Sequence, residues 1–129
     1  MHMSIYAGLC GLMMVWLAVQ TIKTRRANKV RLGDGGVQAL QAAIRAHGNF
    51  AEYMPIVLIL LFLLEYNGAY PILIHVVGSA FIIGRYFHAI GMLTDNLRQR
   101  RLGMILTLNI LIGLAIANIV LASVKIINM

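Results

Sequence analysis

Long apolar stretches, broken by short polar joints, restrict this chain more than any motif does. Met3 to Ile22 holds almost nothing polar apart from Gln20, and about twenty residues at roughly 1.5 Å each cross a hydrocarbon core of about 30 Å. Backbone amides have no partner in lipid, so such a stretch must satisfy its own hydrogen bonds and is read as a helix. A second helix starts amphipathic, with Val37, Leu40 and Ile44 on one side and Gln38, Gln41 and Arg45 on the other. It turns fully apolar at Phe50 and stops at Asn67-Gly68. Pro71 suits the first turn of a third helix, which continues to about Leu93. Thr94, Asp95 and Asn96 offer capping oxygens to a fourth, whose apolar run extends from Leu102 to Val124. The expected fold is all-α, an integral membrane four-helix bundle forming one domain over residues 1–129.

The hydrophobic share of 60% agrees with a polytopic membrane protein. The net charge of +7 would suggest nucleic acid in a soluble chain, but the basic residues sit beside the apolar runs. Lys23, Arg25, Arg26, Lys29 and Arg31 lead up to Gly33-Asp34-Gly35-Gly36, and this segment reads as a solvated loop. Arg98, Arg100 and Arg101 follow the third helix, whereas the joint between the second and third has neither Lys nor Arg and the C-terminal end has only Lys125. The positive-inside rule then puts the first and third joints in the cytosol and both termini outside it, in the inner membrane if the source is bacterial. The charge reports orientation, and no nucleic-acid partner is expected. Met1 and His2 give the first run no basic leader, so it is expected to be an uncleaved span. Cys10 is the single cysteine, which excludes an internal disulfide and a Cys/His metal set.

Arg45 to Pro55 departs from this plain pattern by running charge into an apolar segment. On a helix Arg45, Asn49 and Glu52 fall at i, i+4 and i+7 and share a narrow arc. A carboxylate at this depth needs a cation or a wet cavity, and Arg45 is the nearest cation. Pro55 frees the carbonyl of Ala51, so a bend beside Glu52 is expected. The pair is read either as a brace for helix packing or as half of a binding site. Helix two descends from the cytosol and helix three returns to it, which puts Asn49, Glu52, Arg85 and His88 at similar depth near the cytosolic side. With Tyr53, Tyr86, Arg98, Arg100 and Arg101 they form a polar set with surplus positive charge. Such a set suits a small anion carrying one cationic group, with arginines clamping carboxylates and Glu52 accepting an ammonium. The arginines entering helix four also have a purely topological reading, as basic residues at a cytosolic helix end.

Nearly the whole chain resembles the MAPEG family, the membrane-associated proteins in eicosanoid and glutathione metabolism. Arg45, Asn49, Glu52, Tyr53 and Pro55 stand in a spacing similar to the family's glutathione-binding signature. Arg85-Tyr86-Phe87-His88 resembles its helix-three segment, and Arg100 or Arg101 its thiolate-stabilising arginine. The resemblance implies a homotrimer that binds glutathione between neighbouring subunits at the cytosolic side. It further implies catalysis through Arg101 or Arg100, with Arg45, Asn49, Glu52, Tyr53, Arg85, Tyr86, His88 and Arg98 holding the ligand. Consecutive residues lie about 100° apart on a helix, so only one of Arg100 and Arg101 is expected to face the site, and Arg101 is the deeper. Ala89-Ile90-Gly91-Met92 lacks the tyrosine of eicosanoid-forming members, and Leu102 stands where some members have serine. The expected activity is therefore a glutathione transferase or peroxidase acting on a lipophilic small molecule drawn from membrane lipid. The alternative is a non-catalytic ligand-binding or scaffolding protein of the same fold. A transporter is disfavoured, because the outer halves of the helices offer chiefly His75 and Asn118.

Overall fold

The computed structural model describes residues 1–127 and consists of four helices: α1 (Met3–Ala27), α2 (Gln38–Tyr66), α3 (Pro71–Leu93) and α4 (Leu97–Ile127). Each is long and apolar enough to cross a membrane. The first helix outruns its apolar stretch and carries Lys23, Arg25 and Arg26 on a final turn. Arginine and lysine are good helix formers, and the Arg25 guanidinium donates to the Gly33 carbonyl at 2.7 Å, folding the glycine-rich loop back on that turn. The basic segment expected to be loop is thus helical as far as Ala27.

The other boundaries follow local chemistry. Asn67 closes α2 and Gly68 takes φ +90°, a left-handed conformation that glycine adopts without a Cβ clash. Pro71 opens α3, where its missing amide hydrogen costs nothing. Of the three candidate caps before α4 it is Asn96 that acts, its side-chain oxygen accepting the Gln99 amide at 3.1 Å. Pro55 lies inside α2, which is helical on both sides of it.

The helices do not enclose one another equally. α2 and α3 form the middle pair, each touching both flanking helices, while among the described residues α1 and α4 do not pack on each other. Phe50, Val57, Leu61, Ile74, Phe81 and Leu17 fill the interior. The outward faces are rows of exposed aliphatics, such as Leu12 and Val15 on α1 and Ile112, Ile116 and Ile119 on α4. A surface of this kind belongs in lipid or against another membrane helix.

The closest approach joins α3 to α4 through glycine. A Cβ on Gly103 would run into the Gly84 carbonyl oxygen and the His88 backbone nitrogen, and one on Gly91 would meet the backbone of Arg100. By contrast Gly11 and Gly113, which with Ala7 and Ala117 form small-xxx-small pairs, face open space. The glycine of each pair meets no neighbouring helix within the chain, while Ala7 and Ala117 pack against the core. Gly103→Ala is accordingly expected to force α3 and α4 apart, at a cost of about 1–3 kcal/mol, whereas Gly11→Ala should be silent. Thermal unfolding in mild detergent would show a lowered midpoint for Gly103→Ala alone, and equal midpoints would contradict this packing.

Candidate functional site

Arg85 lies at the centre of the polar end of the bundle. It is fully buried, projecting from α3 between α2 and α4. Its Nη2 donates to the Asn49 side-chain oxygen, and its Nη1 lies 3.4 Å from Thr107 Oγ1. The Thr107 hydroxyl in turn donates to the Gly103 carbonyl at 2.8 Å, leaving a lone pair toward the guanidinium. The rings of Phe50 and Tyr53 flank the cation, with centroids 5.9 and 5.8 Å from Cζ. No carboxylate lies within salt-bridge distance of Arg85 among the described residues.

His88, one turn further along α3, is also buried, and its Nδ1 lies 3.0 Å from the Arg100 carbonyl. A carbonyl only accepts, so Nδ1 carries a proton in this contact. His88 thereby ties α3 to the first turn of α4.

Arg45 and Glu52 sit on the outer face of α2, paired at 3.3 Å with both side chains more than half exposed. That exposure weighs against a packing brace within the chain, since ion pairs of this kind contribute about 0–1 kcal/mol. Arg45 also lines a cleft of about 260 Å³ with Gln38, Gln41, Asp95 and Arg100. Arg100, rather than the expected Arg101, is therefore the arginine that joins Arg45. Arg101 is exposed on α4 outside this cleft.

Other expected site residues point elsewhere. Tyr86 is half exposed and stacks on Trp16 of α1, with centroids 6.0 Å apart. Arg98 lines a separate cleft between α3 and α4. Thr107 was not singled out from sequence, and Gln38, Gln41 and Asp95 read there only as a polar helix face and a candidate cap. A buried threonine on an apolar helix could have been paired with the buried arginine, but the cleft glutamines look like any solvated helix start.

The opposite end of the bundle is more polar than sequence suggested. Glu65 accepts the backbone amides of His2 and Met3, the latter at 2.8 Å, and lies 3.0 Å from the His2 ring. The Tyr6 hydroxyl lies 2.8 Å from His75 Nδ1 and 3.2 Å from Ser79 Oγ. Asn118 donates to the Leu60 carbonyl at 3.0 Å. Between the two ends Cys10, Val57, Leu61, Phe81 and Leu114 are buried together, so among the described residues the polar groups do not form a continuous path along the helices.

Removing Asn49 leaves a buried guanidinium nitrogen without its acceptor, and Asn49→Ala should cost about 1.5–3 kcal/mol. Glu52→Gln, acting on an exposed pair, should cost less than about 1 kcal/mol. Thermal unfolding of the two variants side by side checks the contrast, and equal losses would contradict the burial described here.

Two relatives are similar over most of the chain. The "Inner membrane protein YecN" of Escherichia coli K12 is 36% identical over 116 residues, covering 90% of this chain and 88% of the relative. The protein of the same name from Escherichia coli O6:H1 gives the same figures. The model of the MAPEG family matches residues 3–120, which takes in α1 to α3, most of α4 and the polar end with Arg45, Arg85 and Arg100, and the chain is a member of the MAPEG family.

Proposed function

We propose that the protein is a glutathione-dependent transferase or peroxidase of the bacterial inner membrane, working as a homotrimer with both termini outside the cytosol. The supporting observation is the meeting of Arg45 and Arg100, from α2 and α4, in one open cleft beside the exposed Glu52. Arg45 and Glu52 match one carboxylate and the ammonium of the glutathione tripeptide, Arg100 is left for its thiol, and Asp95 also lines the cleft. The rows of exposed aliphatics leave room for a neighbouring chain on these faces. The basic residues at one end and the name of the relatives support the orientation and the membrane.

In this reading Glu52 takes the ligand's ammonium and Arg45 a carboxylate. Arg100 stands beside the sulfur. A thiol of pKa about 8.5 is only about 3% ionised at pH 7. A guanidinium stabilises the thiolate without taking its proton, which lowers that pKa and raises the reactive fraction. The thiolate sulfur then attacks an electrophilic carbon, whose leaving group departs with the bonding pair, or the terminal oxygen of a lipid hydroperoxide. In the second case the O–O bond breaks, the lipid alkoxide leaves with the pair and takes a proton to become the alcohol, and a second glutathione reduces the resulting sulfenic acid to the disulfide with release of water.

Glu52→Gln should weaken glutathione binding at least tenfold in calorimetry while the assembly stays intact by native mass spectrometry. Arg100→Leu should abolish the ultraviolet thiolate signal of bound glutathione at pH 7 and recover it only toward pH 9, because the thiol pKa returns to its free value. Arg101→Leu should leave that signal in place. Loss of the signal in His88→Ala, with both arginine variants unaffected, would make the mechanism general-base catalysis instead. Conjugation of an aryl halide and reduction of a lipid hydroperoxide test turnover. Binding without either reaction would give the ligand-holding protein in place of the enzyme.

A further inference from the structure

The cleft that takes Arg98 has a different character from the one that takes Arg45 and Arg100. It measures about 490 Å³, inside the range of roughly 300–1,000 Å³ typical of small-molecule sites. Its walls are Ile83 and Phe87 of α3 and Leu102 and Leu106 of α4, and its floor is the close contact of Gly84 with Gly103. Polar groups gather at one end, where Asn96, Arg98 and Gln99 lie at the start of α4. That end adjoins the α3–α4 turn, and the apolar walls run from it along the two spanning helices. The cleft is thus graded from polar at the membrane boundary to apolar within it.

Arg98 is exposed and makes no hydrogen bond or ion pair with the described residues, in contrast to Arg25, Arg45 and Arg85. Ile83, Phe87 and Leu102 are about half exposed on the outer surface, where lipid can reach them. Arg101 and the basic run from Lys23 to Arg31 belong to the same end of the bundle, whose summed positive charge draws anionic lipid to it.

We propose that this cleft is a binding site for an anionic phospholipid of the surrounding bilayer. The phosphate is held by the Arg98 guanidinium with the Gln99 amide beside it. One acyl chain lies along Ile83, Phe87, Leu102 and Leu106. A zwitterionic lipid offers the same chain, but its headgroup cation repels Arg98, so the selectivity resides in that side chain. The site is separate from the Arg45–Arg100 cleft and stands independently of the glutathione reading.

The test is native mass spectrometry of the intact protein released from nanodiscs of equal phosphatidylglycerol and phosphatidylcholine. Retained phosphatidylglycerol is expected to exceed phosphatidylcholine at least fivefold. Arg98→Gln should bring the ratio close to one, while Lys29→Gln, which removes a charge at the same end outside the cleft, should leave it unchanged. Ile83→Trp, which fills the apolar wall and keeps Arg98, should lower total retained lipid. Equal retention of the two lipids by the unaltered protein would overturn the proposal. So would an enrichment that survives Arg98→Gln, or one that falls equally with Lys29→Gln, which would make the attraction diffuse. Loss of the oligomer in Ile83→Trp with lipid retention unchanged would assign the cleft to a second copy of the chain. Retention of added oleate in preference to phosphatidylglycerol would assign it to a free fatty acid, and either result overturns the phospholipid.

Discussion

Burying a guanidinium among membrane helices carries a large desolvation cost, and the polar end of this protein is built around meeting it. Arg85 has no carboxylate beside it among the described residues, so its charge is dispersed over Asn49, Thr107 and two aromatic faces. These partners come from α2 and α4, while Arg85 itself comes from α3. One side chain therefore fixes the relative height of three helices, because sliding any of them strands a buried donor. An apolar contact would tolerate such a slide, since one aliphatic row packs on another at several registers.

Once height is fixed, glycine fixes separation. Contact at Gly84, Gly91 and Gly103 brings the start of α4 against α3. The His88 ring can then reach the Arg100 carbonyl, and the Arg100 guanidinium is presented beside Arg45. The backbone amides at the start of α4 carry the positive end of that helix dipole, so Arg100 adds its full charge where the partial charge already favours an anion. The electrostatic character of the cleft thus depends on a packing detail two turns along α4.

Much of this was legible in the sequence, for identifiable reasons. The spans follow from unbroken apolar length, and the joints from Asn67-Gly68, Pro71 and Asn96, where one residue type suits one backbone conformation. The end of α1 was misjudged because charge was taken as a sign of loop, although arginine and lysine favour helix once a helix is under way. The grouping of Arg45, Asn49 and Glu52 followed from helical period alone. Their division into a half-buried Asn49 that meets Arg85 and an exposed Glu52 did not, because it depends on where α3 lies against α2. That Arg100 rather than Arg101 shares the cleft with Arg45 was out of reach for a related reason. Depth along a helix favours Arg101, but the cleft opens toward the α3–α4 turn, and only the rotation of α4 decides which side chain meets it.

The capping of α1 by Glu65 bears on how the chain is made. The amides of the capping residue His2 and of Met3, the first residue of α1, have their acceptor at the far end of the next helix, some sixty residues later in synthesis. Until Glu65 emerges, that end of α1 leaves its orphan donors to water or lipid headgroups. α1 and α2 therefore become a matched pair only on completion of the hairpin, and the carboxylate that closes it reports that both helices have crossed to the same depth. The seating of the first helix is in this way coupled to the arrival of the second.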